Sequence, residues 1–341
     1  MSESPAASES PAASAAAIPG VTHEQIPANG IELHVATAGP VDGKPVVLCH
    51  GFPELWYSWR HQITALADAG YRVMAPDLRG YGTSSAPKEV TAYGSDQLTA
   101  DLGGLLDHYG YERAHFTGHD WGSMVVWEMG RLHPGRVSSI YNMSVPYSQA
   151  PAPPLEIFEV LFEGKFFYMV YFQEVGPPEK ELEADTRHFL RTMLWSASGE
   201  GLSSGGGLFQ DVPREGTGFI DILTPPPEKL PAWITEADVD VYVEGFRRNG
   251  FFGPISFYRN MDANWVRSKD IAPSVYTMPT GFLTGSLDPV MTMMPDAGAV
   301  MAAELPDFRG MTLVEGAGHW VQQENPGETN AALLAFLAAL D

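Results

Sequence analysis

The segment Gly118-His119-Asp120-Trp121-Gly122 places an acidic side chain between two glycines, where a predicted strand meets a predicted helix. Glycines on either side permit a sharp turn that lifts the central side chain off the sheet edge. They also set it beside the amides that open the following helix, where negative charge is favoured. An aspartate there, with an ordinary pKa near ~3.9, is ionised at neutral pH and can attack without a base. Carboxylate attack on a saturated carbon leaves an alkyl ester, whose release needs an activated water. A simple helix cap is the competing role for an Asp at this place, so the rest of the chain has to decide.

Two further residues follow in the chain order nucleophile, acid, base. His319 lies in Gly316-Ala317-Gly318-His319-Trp320, after a predicted strand and a glycine turn. Of the ten histidines, His23, His34, His61, His108, His115, His133 and His188 have no context that lifts them above surface or packing roles. Asp288, in Thr284-Gly285-Ser286-Leu287-Asp288-Pro289, follows the preceding strand and can hold the imidazole in the tautomer a base needs. Asp77 is the rival acid, but beside Arg79 in Asp77-Leu78-Arg79-Gly80 it reads as a local ion pair or turn. An ester intermediate also needs donors for its oxyanion, and the Trp121 amide supplies one. The Phe52 amide, in His50-Gly51-Phe52-Pro53 directly after an apolar run, supplies the other, with His50 read as a structural turn residue.

The elements that must position these groups follow an alternating pattern. Short apolar runs at 45–49, 71–75, 114–117 and 137–143 read as strands, and 55–69, 95–109 and 121–132 between them carry apolar residues at helical spacing. The fold class is α/β, with a mostly parallel sheet flanked by helices. The strand signal then stops for a long aromatic-rich stretch, interrupted by Gly/Ser residues at 199–207 and by Pro225-Pro226-Pro227. Within it Thr235 and Asp238 resemble a capping box, with Arg247 and Arg248 in the last turn and Gly250 at the C-terminal cap. Strands return at 281–284 and 311–314, and a helix closes the chain at 328–340. The expected organisation is a disordered tail over 1–20, a first core part over 21–146, a helical cap over 147–264 and a second core part over 265–341. Met169, Phe166, Phe167, Trp195 and Trp233 in the cap read as core packing before pocket lining.

Composition narrows the partners. With 20 basic against 42 acidic residues the formal charge is −22, which repels nucleic acid and anionic lipid. The single cysteine, Cys49, sits in an apolar run and reads as a buried thiol, so neither a disulfide framework nor a multi-cysteine metal site is expected. No cofactor and no metal are expected. The Ser/Ala/Pro-rich N-terminal stretch lacks the form of a signal peptide and no apolar run is long enough to span a membrane, so a cytoplasmic location is expected.

The motifs together resemble the epoxide hydrolase branch of the α/β-hydrolase superfamily over nearly the whole chain after the tail. His50-Gly51-Phe52-Pro53-Glu54, then Trp56, Tyr57, Ser58, Trp59 and Arg60, then Asp77-Leu78-Arg79-Gly80-Tyr81-Gly82, carry the resemblance with the nucleophile segment. In the insert, Tyr168-Met169-Val170-Tyr171-Phe172-Gln173-Glu174 is similar to a first cap tyrosine segment, with Tyr171 at the functional place. Gly253-Pro254-Ile255-Ser256-Phe257-Tyr258-Arg259-Asn260 is similar to a second, with Tyr258 there. The resemblance implies an epoxide substrate, water as co-substrate and a vicinal diol product, with the two phenols holding and protonating the ring oxygen. The oligomeric state is open, a homodimer included.

Haloalkane dehalogenases are the nearest rival, but they carry a polar side chain where this chain has Phe52. Fluoroacetate-type dehalogenases place Arg where this chain has Trp121. An inert binding protein of the same fold would not need every catalytic position filled, and an ester hydrolase would use Ser or Cys at position 120.

Overall fold

The computed structural model describes residues 17–340, so most of the expected tail over 1–20 lies outside the described residues. Eight strands form one sheet: β1 (Thr22–Ala28), β2 (Ile31–Ala38), β3 (Pro45–Cys49), β4 (Arg72–Pro76), β5 (Ala114–Gly118), β6 (Val137–Met143), β7 (Thr280–Gly285) and β8 (Phe308–Val314), in spatial order β1-β2-β4-β3-β5-β6-β7-β8. From β4 onward every neighbour is parallel, whereas β1–β2 and β2–β4 are antiparallel. The antiparallel pair was not foreseen from the sequence. Five of the seven residues of β1 are exposed, so it lacks the apolar alternation that marks a half-buried strand.

Helices α1 (Arg60–Asp68), α2 (Ser95–Tyr109) and α3 (Trp121–Leu132) connect the first strands. The parallel strands they link are buried along most of their length, with Val46, Val47, Leu48 and Cys49 of β3 inaccessible to solvent. Between β6 and β7 come only helices and irregular chain among the described residues: α4 (Pro154–Leu161), α5 (Tyr168–Tyr171), α6 (Pro177–Ala184), α7 (Thr186–Ser196), α8 (Gly199–Ser203), α9 (Glu236–Asn249), α10 (Phe252–Arg259) and α11 (Met261–Ser268). Helix α9 begins with the expected reciprocal cap, Thr235 Oγ1 accepting from the Asp238 amide and Asp238 Oδ2 accepting from the Thr235 amide. The second core part adds α12 (Pro289–Met293), α13 (Ala297–Glu304), α14 (Val321–Glu324) and α15 (Pro326–Ala338). No described helix is long and apolar enough to cross a membrane.

Of the two local roles expected around Asp77, the ion pair with Arg79 does not form, while the chain does turn at Arg79–Gly80. Asp77 faces His34 at 2.8 Å and accepts from the Trp56 amide, while Arg79 turns the other way and binds Asp101 through two nitrogens. Arg79 already lies in the turn at Arg79–Gly80, so the two side chains find partners on different elements, His34 on β2 and Asp101 on α2.

Candidate active site

Strand β5 ends at Gly118 and α3 begins at Trp121, leaving Asp120 in the turn with φ 51° and ψ −119°. This positive φ in a residue with a Cβ costs roughly 1–3 kcal/mol and persists only where the surroundings enforce it. Here they do. A Cβ on Gly118 would overlap the Gly122 carbonyl oxygen and one on Gly122 would overlap that of Cys49, so the elbow packs backbone against backbone on the end of β3. Asn142 on β6 locks it from the other side, accepting from the Gly118 amide at 2.9 Å and donating to the Ser123 carbonyl at 3.0 Å.

Asp120 makes no side-chain cap bond to α3. Instead Oδ1 accepts from the Phe52 amide at 2.7 Å, and Oδ2 lies 3.4 Å from His319 Nε2. The Trp121 amide, the first of α3, donates to no described group. His319 arrives on the turn after β8 and Asp288 on the turn after β7, so both reach the same edge of the sheet as the elbow. The His319 Nδ1–H faces both Asp288 oxygens, at 3.1 and 3.2 Å, which leaves Nε2 toward Asp120. Asp288 also accepts from the Val290 amide and the Thr284 hydroxyl.

Burial opposes ionisation of Asp288, but the His319 imidazole and these hydrogen bonds outweigh it and hold the carboxyl below its usual range. Burial likewise opposes protonation of His319. The facing Asp288 and Asp120 carboxylates outweigh it, so the imidazole keeps its proton well above the usual histidine range.

Tyr258, on α10, packs edge-on against Trp121 with ring centroids 4.9 Å apart and against Tyr168 at 5.8 Å. Both phenols are buried; burial first, then the negative charge of Asp120 among neighbouring groups, pushes each well above the ordinary tyrosine value. The residue expected at the first cap position is placed otherwise. Tyr171 is partly exposed and its hydroxyl donates to Glu181 at 2.7 Å, whereas Tyr168, three residues earlier, is the phenol beside Tyr258. Glu181 satisfies the amides of Phe219 and Ile220 as well, and this network draws the Tyr171 hydroxyl outward.

A second layer behind the site was missed in the sequence. Glu54 and His119 are both fully buried, with Glu54 Oε2 2.7 Å from His119 Nδ1, and His119 Nε2–H donates at 2.7 Å to the His319 carbonyl. Glu54 also accepts from the Gly51 amide and the side chains of Gln322 and Gln323. Burial alone would raise its carboxyl, but His119 and these bonds bring it down to about 2. One carboxylate thereby ties together the loop at Gly51, the elbow and the His319 loop. The available signal was Glu54 three residues after Gly51, an apolar-flanked acid that needs a buried partner.

An Asp elbow, a histidine backed by a buried acid and a mostly parallel eight-stranded sheet define a hydrolase of the α/β-hydrolase fold. A family model described as alpha/beta hydrolase fold matches residues 44–175. The chain is 46% identical to epoxide hydrolase A of Mycobacterium tuberculosis, over 94% of this chain and 98% of that one. It is 36% identical to epoxide hydrolase 3 of Siraitia grosvenorii, over 93% and 98%. Among solved structures, epoxide hydrolase A from Mycobacterium thermoresistibile superposes with TM-score 0.85 at 43% identity, covering 94% of this chain and 99% of that one. An epoxide hydrolase from an endophytic Streptomyces superposes with TM-score 0.87 at 38% identity, covering 94% and 96%. The chain therefore belongs to the epoxide hydrolases of the α/β-hydrolase fold.

Proposed function

We propose that the enzyme opens epoxides to vicinal diols in two covalent steps, with Asp120 as nucleophile, His319 as base, Asp288 as its orienting acid, and Tyr168 and Tyr258 as the phenols that hold the ring oxygen. The placement of Asp120 carries this reading: it is turned away from the helix it precedes, one oxygen on the Phe52 amide and the other on His319.

In the first step a carboxylate oxygen of Asp120 attacks a ring carbon, the carbon–oxygen bond breaks, and the leaving oxygen takes a proton from Tyr168 or Tyr258. Their raised titration keeps both phenols neutral beforehand and makes a phenolate short-lived, so it regains its proton from solvent before the second step. Once the ester has removed the Asp120 charge His319 gives up its proton to solvent, and in the second step the neutral imidazole takes a proton from a water that attacks the ester carbonyl. The oxyanion is held by the Phe52 and Trp121 amides, and collapse breaks the ester bond, with the leaving oxygen taking the proton back from His319 as the diol departs and the Asp120 carboxylate is restored. The Trp121 indole is engaged with the Tyr258 phenol, which supports epoxide opening over halide release, where an indole N–H would be needed for the halide.

H319Q tests the reading. With an epoxide such as styrene oxide it is expected to accumulate an adduct on Asp120, seen as a mass increase equal to one substrate. A variant that turned over normally, or formed no adduct, would contradict it.

A further inference from the structure

The His319 loop is fastened to residues 194–199 of the helical insertion, and a carboxylate sits at the centre of the fastening. Glu324 ends α14, five residues beyond His319. Its Oε2 accepts from the Gly199 amide at 2.7 Å and the Gly318 amide at 3.0 Å, and its Oε1 accepts from the Trp320 amide at 2.9 Å. Gly318 and Trp320 flank His319, and Gly199 is the first residue of α8 in the insertion.

The two backbones touch. The His319 amide donates to the Ala197 carbonyl at 2.9 Å and the Trp320 indole to that of Leu194 at 2.8 Å. A Cβ on Gly318 would overlap the Gly199 nitrogen, and one on Gly199 would overlap the Gly316 carbonyl oxygen. No Lys or Arg pairs with Glu324 among the described residues, and its three partners are all amides. On the opposite side of the loop the His319 carbonyl is held by His119 and by the Ser144 hydroxyl at 2.9 Å. His119, Ser144 and Ala197 hold the peptide groups of His319 itself, while Glu324 holds the amides on either side of it.

From this geometry we infer that Glu324 is a positioning residue for the hydrolytic step: its carboxylate couples the 194–199 segment of the insertion to the His319 loop and keeps the imidazole in line with the ester. The inference rests on the two-step reading above. Glu324 touches none of the groups that serve the first step. Asp120 is set by its elbow and the 2.7 Å bond from the Phe52 amide, with His319 at the longer distance of 3.4 Å, and the two phenols stand on α5 and α10. Loss of the clasp therefore slows water attack and spares ester formation.

The test is E324Q, whose amide nitrogen cannot accept the amides that the carboxylate accepts. A misplacement of the base by a fraction of an ångström to an ångström is expected to lower kcat by roughly 10- to 100-fold. KM should fall in parallel, so that kcat/KM, which reports ester formation, stays within about a factor of two. E324Q should also accumulate the Asp120 adduct during turnover. Equal losses in kcat and kcat/KM, or no loss in either, would overturn the inference. Should E324Q fail to fold, E324D, which keeps the charge but is one methylene too short to reach both chains, is read by the same split and the same two outcomes. H319Q run alongside separates the two levels. No adduct in H319Q sinks the covalent reading itself, whereas an adduct in H319Q and none in E324Q sinks only the role of Glu324.

Discussion

Tyr168 and Tyr258 come from different helices of the insertion, α5 and α10, and stand with ring centroids 5.8 Å apart and planes crossing at 77°. Both sense the charge of Asp120 below them, while Tyr171 binds Glu181 and does not. Y168F and Y258F are each expected to slow ester formation by roughly 100-fold, the usual loss for one donor to a developing oxyanion. Y171F should keep the rate within a small factor and lose only about 0.5–1.5 kcal/mol of stability with its hydrogen bond. Single-turnover rates and urea unfolding of the three variants check this, and a slow Y171F beside a fast Y168F would reverse the assignment.

The pH dependence follows from what surrounds His319. In the free enzyme the Asp288 and Asp120 carboxylates keep its proton on well above the usual range. In the proposed cycle esterification removes the charge of Asp120, so the titration moves down in the intermediate, where His319 is to be neutral as the base. The acid limb of ester hydrolysis in single turnover is therefore expected at lower pH than the His319 titration followed by NMR in the free enzyme. An acid limb at or above the free-enzyme value would contradict the sequence of charges.

In the proposed cycle Asp288 serves the second step through His319, so D288N should leave ester formation nearly unchanged and slow ester hydrolysis on the order of 100-fold or more. Stopped-flow tryptophan fluorescence separates the two phases. A variant slowed in the first phase alone would show that the acid has another duty.

The Glu54–His119 pair is a stability device with a definite pH window. Replacing the carboxylate by an amide in E54Q removes an acceptor shared by His119, the Gly51 amide, Gln322 and Gln323 in the buried layer, at a cost of about 1–3 kcal/mol. Because the folded carboxyl titrates at about 2 against an ordinary 4.5, its contribution is fully present above pH 4.5 and is lost as pH falls toward 2. The stability gap between wild type and E54Q in urea should be widest above pH 4.5 and shrink below it. A gap independent of pH would show that the pair adds packing and no charge interaction.

Much of this was legible in the chain because local chemistry and tertiary role agree. The glycine spacing around Asp120 demands an elbow whatever follows, and the Thr235–Asp238 box marks the start of α9 by hydrogen bonds within one turn. Where a role depends on a distant partner the pattern failed. Tyr168 and Tyr171 stand one turn apart on the same short helix, and only Glu181, ten residues on, decides which phenol turns outward. Glu54 and His119 are 65 residues apart and meet only when β3 and β5 pair. Asp77 and Arg79, two positions apart in the chain, were drawn apart by His34 and Asp101 on separate elements.

The covalent role of Asp120 is tested most directly by one turnover in water labelled with heavy oxygen, with enzyme in excess over epoxide. The label is expected in the Asp120 carboxylate, found by mass spectrometry of the peptide that contains it, and absent from the first diol, whose new oxygen comes from the aspartate. Label in the diol and none in Asp120 would mean that water attacks the epoxide directly, and the ester mechanism would be wrong.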